Sequence, residues 1–192
     1  MIQSRKDYRL YLREDCLANI KRESCSWFRM KISLWYGLES YMAYNYLRRL
    51  RKYEYLLNRG GGGIIHRIRL TIAKIRYRRL GIKYRFRINP NVVGYGLRIP
   101  HITGGGIIGP DKMGKHCIVN AGVVIGTKTG TIKRPILGDN CEITIGAVVI
   151  GNIIIGNNVI IAPNSVVVKD VPDNAVVSGI PAKILSINGQ RV

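Results

Sequence analysis

The sequence predicts a mainly β protein: a parallel β-helix over residues 87–192, preceded by a basic α-helical region over residues 1–86. Two observations carry this. From Leu137 onward the chain divides into sixes with an aliphatic residue in every first place, and the charge balance changes character near residue 88.

The sixes read LGDNCE, ITIGAV, VIGNII, IGNNVI, IAPNSV and VVKDVP. Their first places hold Leu137, Ile143, Val149, Ile155, Ile161 and Val167, and their fifth places Cys141, Ala147, Ile153, Val159, Ser165 and Val171. Ile125, Val119 and Met113 continue the register upstream. A fixed short period marks a repeat architecture in which each unit buries its face only against its neighbours. Three hexads make one triangular turn of a parallel β-helix, and Gly, Asn and Asp at the corners permit the bends between flat faces. Cys117 and Cys141 share a fifth-place register and read as small inward hydrophobes.

The first half reads as helices. Ser4 with Asp7 three residues on resembles a capping box, and Tyr8, Tyr11 and Leu12 follow at helical spacing. A second helix runs from Leu38 to Asn58 and ends at the glycines of RGGGG, whose backbone freedom opposes a helix. A third, from Ile64 to Leu80, places Ile65, Ile68, Ile72 and Ile75 on one face with Arg and Lys elsewhere. Such a face either packs on the rest of the protein or lies on a membrane interface.

The formal net charge is +20, and residues 1–88 hold 22 Lys and Arg against six Asp and Glu. That field favours anionic partners such as nucleic acid, an anionic membrane surface or a phosphorylated ligand. No apolar run is long enough to span a membrane. The N-terminal MIQSRKDYRLYLRED has charges where a secretory signal would need an apolar core. These features point to a cytoplasmic protein able to meet the inner face of a membrane through its basic helices. The four cysteines show no CxxC pairing and read as free thiols.

The segments GYGLRIPHITGGGIIG, VNAGVVIGTKTGTIKRPILGDN, IGNNVIIAPNSVV and SGIPAKI resemble the hexapeptide-repeat acyltransferases, and within them the serine acetyltransferases. The preceding helices are similar to variants associated with surface-polysaccharide synthesis. The resemblance implies a left-handed β-helix, a homotrimer, acetyl-CoA as co-substrate and no metal. His101 matches the family's catalytic histidine, which acts as general base, the task imidazole suits near neutral pH. Backbone N–H groups of the adjoining glycine turn are candidate oxyanion donors.

Three positions depart from the serine acetyltransferase pattern. Arg87 stands nearest the family's imidazole-orienting aspartate and cannot accept a hydrogen bond, so Asn89 or a backbone carbonyl is the candidate replacement. Pro100 and Arg134 occupy the places of an acid and a second histidine that contact serine. A sugar hydroxyl in surface-glycan synthesis is therefore the expected acceptor. Serine itself is the alternative, with Arg87 or Arg134 meeting its carboxylate. A non-catalytic scaffold whose basic helices bind an anion is a further alternative, and only that one calls for nucleic acid. For acetyl-CoA the resemblance points to Gly126, Thr127 and Lys128 in the loop 126–135, with Lys133 and Arg134 beside them. It also points to Gly146 and Ala162 at coil corners and to Lys183 near the end. His116 reads as a corner residue and His66 as a surface one. With only two histidines in the repeats, the three-histidine zinc site of some hexapeptide proteins is excluded.

Overall fold

The computed structural model describes residues 1–22, 25–130 and 132–192. Among these residues four helices come first: α1 (Arg5–Ile20), α2 (Trp27–Trp35), α3 (Glu39–Arg59) and α4 (Ile64–Tyr84). The protein is thus mixed α/β, which corrects the expectation of a mainly β chain. The Ser4–Asp7 capping box is present at the start of α1, with both reciprocal hydrogen bonds. Helix α2, not foreseen from periodicity, is capped by the Ser26 hydroxyl, which accepts from the Arg29 N–H.

The strands are short and follow in turn: β1 (Phe86–Ile88), β2 (Gly106–Ile108), β3 (Lys112–Met113), β4 (Ile118–Val119) and β5 (Val123–Gly126). Then come β6 (Ile136–Leu137), β7 (Glu142–Ile143), β8 (Val148–Ile150), β9 (Ile154–Ile155), β10 (Ile160–Ile161) and β11 (Val166–Val167). The chain closes with β12 (Ala175–Gly179), β13 (Ala182–Ile187) and β14 (Gln190–Arg191).

Three sheets form the sides of a triangular prism. Sheet one runs β1-β2-β5-β8-β11, sheet two β3-β6-β9, and sheet three β4-β7-β10-β12 before the antiparallel β13 and β14. Pairing within the coils is parallel. Ile136 lies beside Ile154, Glu142 beside Ile160 and Val148 beside Val166, so one turn is eighteen residues, or three hexads. Across the segment 126–135 the step is twenty-four, as in Met113 beside Leu137. That loop adds one hexad's length, which keeps the aliphatic phase intact on both sides of it.

Every first-place and fifth-place hexad residue from Leu137 to Val171 is buried. Cys117 and Cys141 are buried and free of disulfide. Their mutual contact and their burial push the Cys117 thiol up. At one corner Asn140, Asn158 and Asn174 adopt left-handed backbone, and their side-chain amides form a ladder from coil to coil. Asparagine tolerates that conformation better than other residues with a side chain.

The first coil has no strand above it, so its backbone polar groups need other partners. Helix side chains supply them. Asp15 accepts from the N–H of Gly96 and Leu97, Asn19 from Ile99, Glu54 from Asn91, and the Tyr46 hydroxyl from Ile88. Arg51 donates to the carbonyls of Val93 and Gly94, Asn19 to that of Leu97, and Tyr77 to that of Ile88.

Arg51 is fully buried and also pairs with Asp15 at 2.8 Å and Glu54 at 3.1 Å. Burial works against its charge, but the two carboxylates outweigh burial and raise its pKa above the ordinary arginine value. Replacing Arg51 by Met leaves two carboxylates and two carbonyls buried without their donor. We expect a loss of about 3–5 kcal/mol, the range for breaking a buried ion pair, measured by urea denaturation.

Candidate functional site

The chain leaves sheet three after the bridge of Arg98 with Ile118 and turns toward sheet one at Pro100. His101 opens a single 3-10 turn, Ile102–Gly104, which the fully buried Ile102 anchors. The glycines behind it meet steric needs. A Cβ on Gly104 would come within 2.4 Å of the Ala121 Cβ, and Gly105 has φ +74. Their amides are already engaged: Gly104 donates to His101 O, Gly105 to Ile102 O and Gly106 to Arg85 O. The expectation that these three N–H groups face an oxyanion is therefore corrected. The glycines let the turn lie flat on the next coil.

The imidazole is held from another part of the fold. Its Nδ1 lies 2.9 Å from Oε2 of Glu39, the first residue of α3, and the Thr103 hydroxyl donates to the other carboxylate oxygen. The His101 side chain is 63% exposed and Glu39 32%, so the ring is presented outward with its supporting carboxylate half covered. Burial opposes ionisation of Glu39, but hydrogen bonds from Thr103 and His101 outweigh it and hold the carboxyl below its ordinary value. An ionised carboxylate can only accept, so Nδ1 carries the hydrogen and the lone pair is on Nε2, away from Glu39. An acid in the first turn of α3 is also favoured by the helix dipole.

Glu39 is the group that sequence reading missed, where Asn89 was the candidate. Asn89 instead sits against Gly109, whose added Cβ would meet its Nδ2 at 3.1 Å. With Arg87 it lines a cavity of about 440 Å³ between α4 and β1. Sixty-two residues separate Glu39 from His101, so no local motif joins them. The available signal was compositional. Residues 1–88 keep only six acids, and Asp15, Glu39 and Glu54 all serve the first coil.

The remaining candidates fall in separate places. His101 lies on the edge between sheets three and one, and Gly146 and Ala162 lie on that edge in later coils, where Gly146 donates to Ala121 O and Ala162 to Val177 O. The corner favours a glycine at 146 because φ there is +69, and a Cβ would also press the Asn164 side chain, its Oδ1 at 2.2 Å. Gly126, Thr127 and Lys128 lie on the other margin of sheet one, where the loop departs. Thr131 of that loop is outside the described residues. Arg134 returns the loop with its N–H on Asp111 Oδ2, and Lys133 beside it is exposed. Lys183 is exposed on β13, opposite Ser178 in the terminal hairpin. His116 is exposed at a corner, in left-handed backbone and edge-on to Tyr95. Among the described residues no group of three His, Cys, Asp or Glu is placed to hold a metal ion.

Comparison with known proteins places this architecture among acyl-transfer relatives. Residues 134–169 match the family model described as bacterial transferase hexapeptide (six repeats). Serine acetyltransferase of Synechococcus elongatus is 38% identical over 102 residues, covering 52% of this chain and 42% of that protein. The chain thus spans about half the length of these curated relatives. Among solved structures, Neisseria gonorrhoeae serine acetyltransferase in complex with serine superposes with TM-score 0.64 at 27% identity, covering 93% of this chain and 69% of that one. A serine acetyltransferase complex with CoA superposes with TM-score 0.60 at 27% identity, covering 74% and 57%. The β-helix is a hexapeptide-repeat domain of the kind those enzymes contain.

The Glu39 carboxyl has a depressed pKa, so its contribution to docking the 3-10 turn on α3 is present above the ordinary glutamate value. It is lost as the pH falls through the lowered folded value. The protection factor of the Thr103 amide, whose N–H also bonds Glu39, should hold above the ordinary glutamate pKa and fall below it, with exchange measured against the intrinsic rate at each pH. Constant protection through that range contradicts the assignment.

Proposed function

We propose that this chain is an acetyl-CoA-dependent O-acetyltransferase of the serine acetyltransferase type, with His101 as general base. The observation that carries the reading is the exposed imidazole with a carboxylate on Nδ1, which directs the basic lone pair of Nε2 outward. An alcohol is a poor nucleophile while protonated, and a base near neutral pH removes that barrier. Acetyl-CoA supplies an activated acetyl group. His101 takes the hydroxyl proton as the new ester bond forms and returns it to the departing thiolate, while Glu39 stabilises the transient imidazolium and holds one tautomer.

The margins of sheet one suit a trimer. The His101 edge and the loop 126–135 flank that sheet on opposite sides, so a neighbouring copy would bring its loop toward this chain's histidine. Lys128 and Lys133 then meet phosphate charge of the co-substrate, with Gly126 and Thr127 approaching its arm. Gly146 and Ala162 border the same groove, and Lys183 stands nearest its nucleotide end.

Serine is the acceptor that the named relatives favour, with Arg87 or Arg134 available for its carboxylate. A sugar hydroxyl is the second reading, favoured by Pro100 and Arg134 standing where serine-binding groups belong in the resemblance. Incubation with acetyl-CoA and either L-serine or sugar acceptors, followed by mass spectrometry, separates the two. O-acetylserine at a rate matched to CoA release supports the first, and an acetylated sugar without it supports the second. His101→Ala should lower turnover about 10²–10⁴-fold, and Glu39→Gln should lower kcat with little change in the KM for acetyl-CoA. CoA release that His101→Ala leaves unchanged would falsify the reading.

A further inference from the structure

Helix α4 has two apolar faces. Ala73, Tyr77 and Tyr84 point inward and are buried, with Leu70 and Leu80 packed beside them. On the outward side Ile64, Ile65, Ile68, Ile72, Ile75 and Ile82 are 43–78% exposed. The isoleucine face foreseen from the sequence thus does not pack on the rest of this chain. At 100° per residue the outward stripe lies nearly opposite the buried one. Arg69, Arg76 and Lys83 border it on one flank, and Arg67, Lys74 and Arg78 on the other, while the exposed Arg79 stands within it. The helix contains no acid.

One cationic flank continues into a groove between α3 and α4. Arg49, Lys52, Arg59, Arg69 and Arg76 line a hollow of about 380 Å³, and no carboxylate lines it. Among the described residues no ion pair reaches these five cations. Burial, with Arg48 and Arg76 nearby, lowers the pKa of Arg49, as crowding of like charges does. Four of the five are exposed, so the groove presents concentrated positive charge to solvent.

We propose that α4 seats this protein on an anionic lipid surface, its isoleucine stripe at the boundary of headgroups and acyl chains and the α3–α4 groove around headgroup phosphate. Charge complementarity selects this occupant. A helix lying in an interface needs apolar residues on one side, flanked by long cationic side chains that reach the phosphates. Both are on the outward side of α4, along about 30 Å of helix, and no helix among the described residues is long and apolar enough to cross the bilayer.

The test is co-sedimentation of the full chain with vesicles of phosphatidylglycerol and phosphatidylcholine, against vesicles of phosphatidylcholine alone. Binding should be at least tenfold stronger to the anionic vesicles and should weaken steeply as salt rises. The exposed pair Ile68→Ser and Ile72→Ser, which leaves the charge unchanged, should lower binding at least tenfold. Arg69→Gln with Arg76→Gln should lower it and flatten the salt dependence. His101→Ala should bind like the parent chain, so failure of the catalytic reading does not touch this one. Equal binding to neutral vesicles, or isoleucine variants that bind normally, overturns the proposal. An isoleucine pair that instead lowers the oligomer mass in light scattering assigns the stripe to a second copy and overturns it as well. Full release by millimolar inorganic phosphate at constant ionic strength marks a free-anion site and does the same.

Discussion

The fold depends on how the open end of a β-helix is closed. A stack of parallel coils satisfies its own backbone everywhere but at its ends, and the N-terminal end here lacks a strand to pair with Val93, Gly94, Gly96, Leu97 and Ile99. Asp15, Asn19, Arg51 and Glu54 take the place of that strand. Unpaired buried amides and carbonyls cost more than a net hydrogen bond gains, so the buried charges are retained where a purely apolar helix face would leave the coil unsatisfied. Tyr46 and Tyr77 do the same work one strand earlier at Ile88, beside Phe86.

That closure also builds the site. Arg51 and Glu54 fix α3 against the first coil, and Glu39 stands three turns away at the start of the same helix. A rigid helix transmits its docking to its end, so the carboxylate reaches His101 Nδ1 as a consequence of contacts made near Val93 and Asn91. The scaffold and the candidate chemistry therefore share one interface, in which acids from a strongly basic half of the chain are placed where a backbone or an imidazole requires them. The cations left over are not wasted internally. They collect on α4 and in the groove beside α3, facing outward.

The β-helix was legible because its physics is periodic. Leu137, Ile143 and Val149 recur at six because each must stack on the coil beneath, and the loop 126–135 hides from that reading only by adding one more period. His101 was legible through its neighbours, whereas its partner was not. Glu39 is an ordinary first-turn acid until α3 is docked, and docking rests on Arg51, Asp15 and Glu54, whose pairing spans up to 36 residues of sequence. In sequence the glycine turn reads as a source of oxyanion donors, because sequence shows flexible backbone and not where its N–H groups point. In the same way α4 showed one isoleucine face, but periodicity alone could not tell a buried face from an outward one.

A carboxylate from the helical region holds the His101 ring with its hydrogen on Nδ1. Nitrogen-15 NMR of the imidazole in the neutral form measures this directly. A protonated, pyrrole-like Nδ1 and a pyridine-like Nε2, with the Nδ1 signal losing that character in Glu39→Gln, is the predicted result. A neutral ring carrying its hydrogen on Nε2, unchanged by that substitution, would contradict the account.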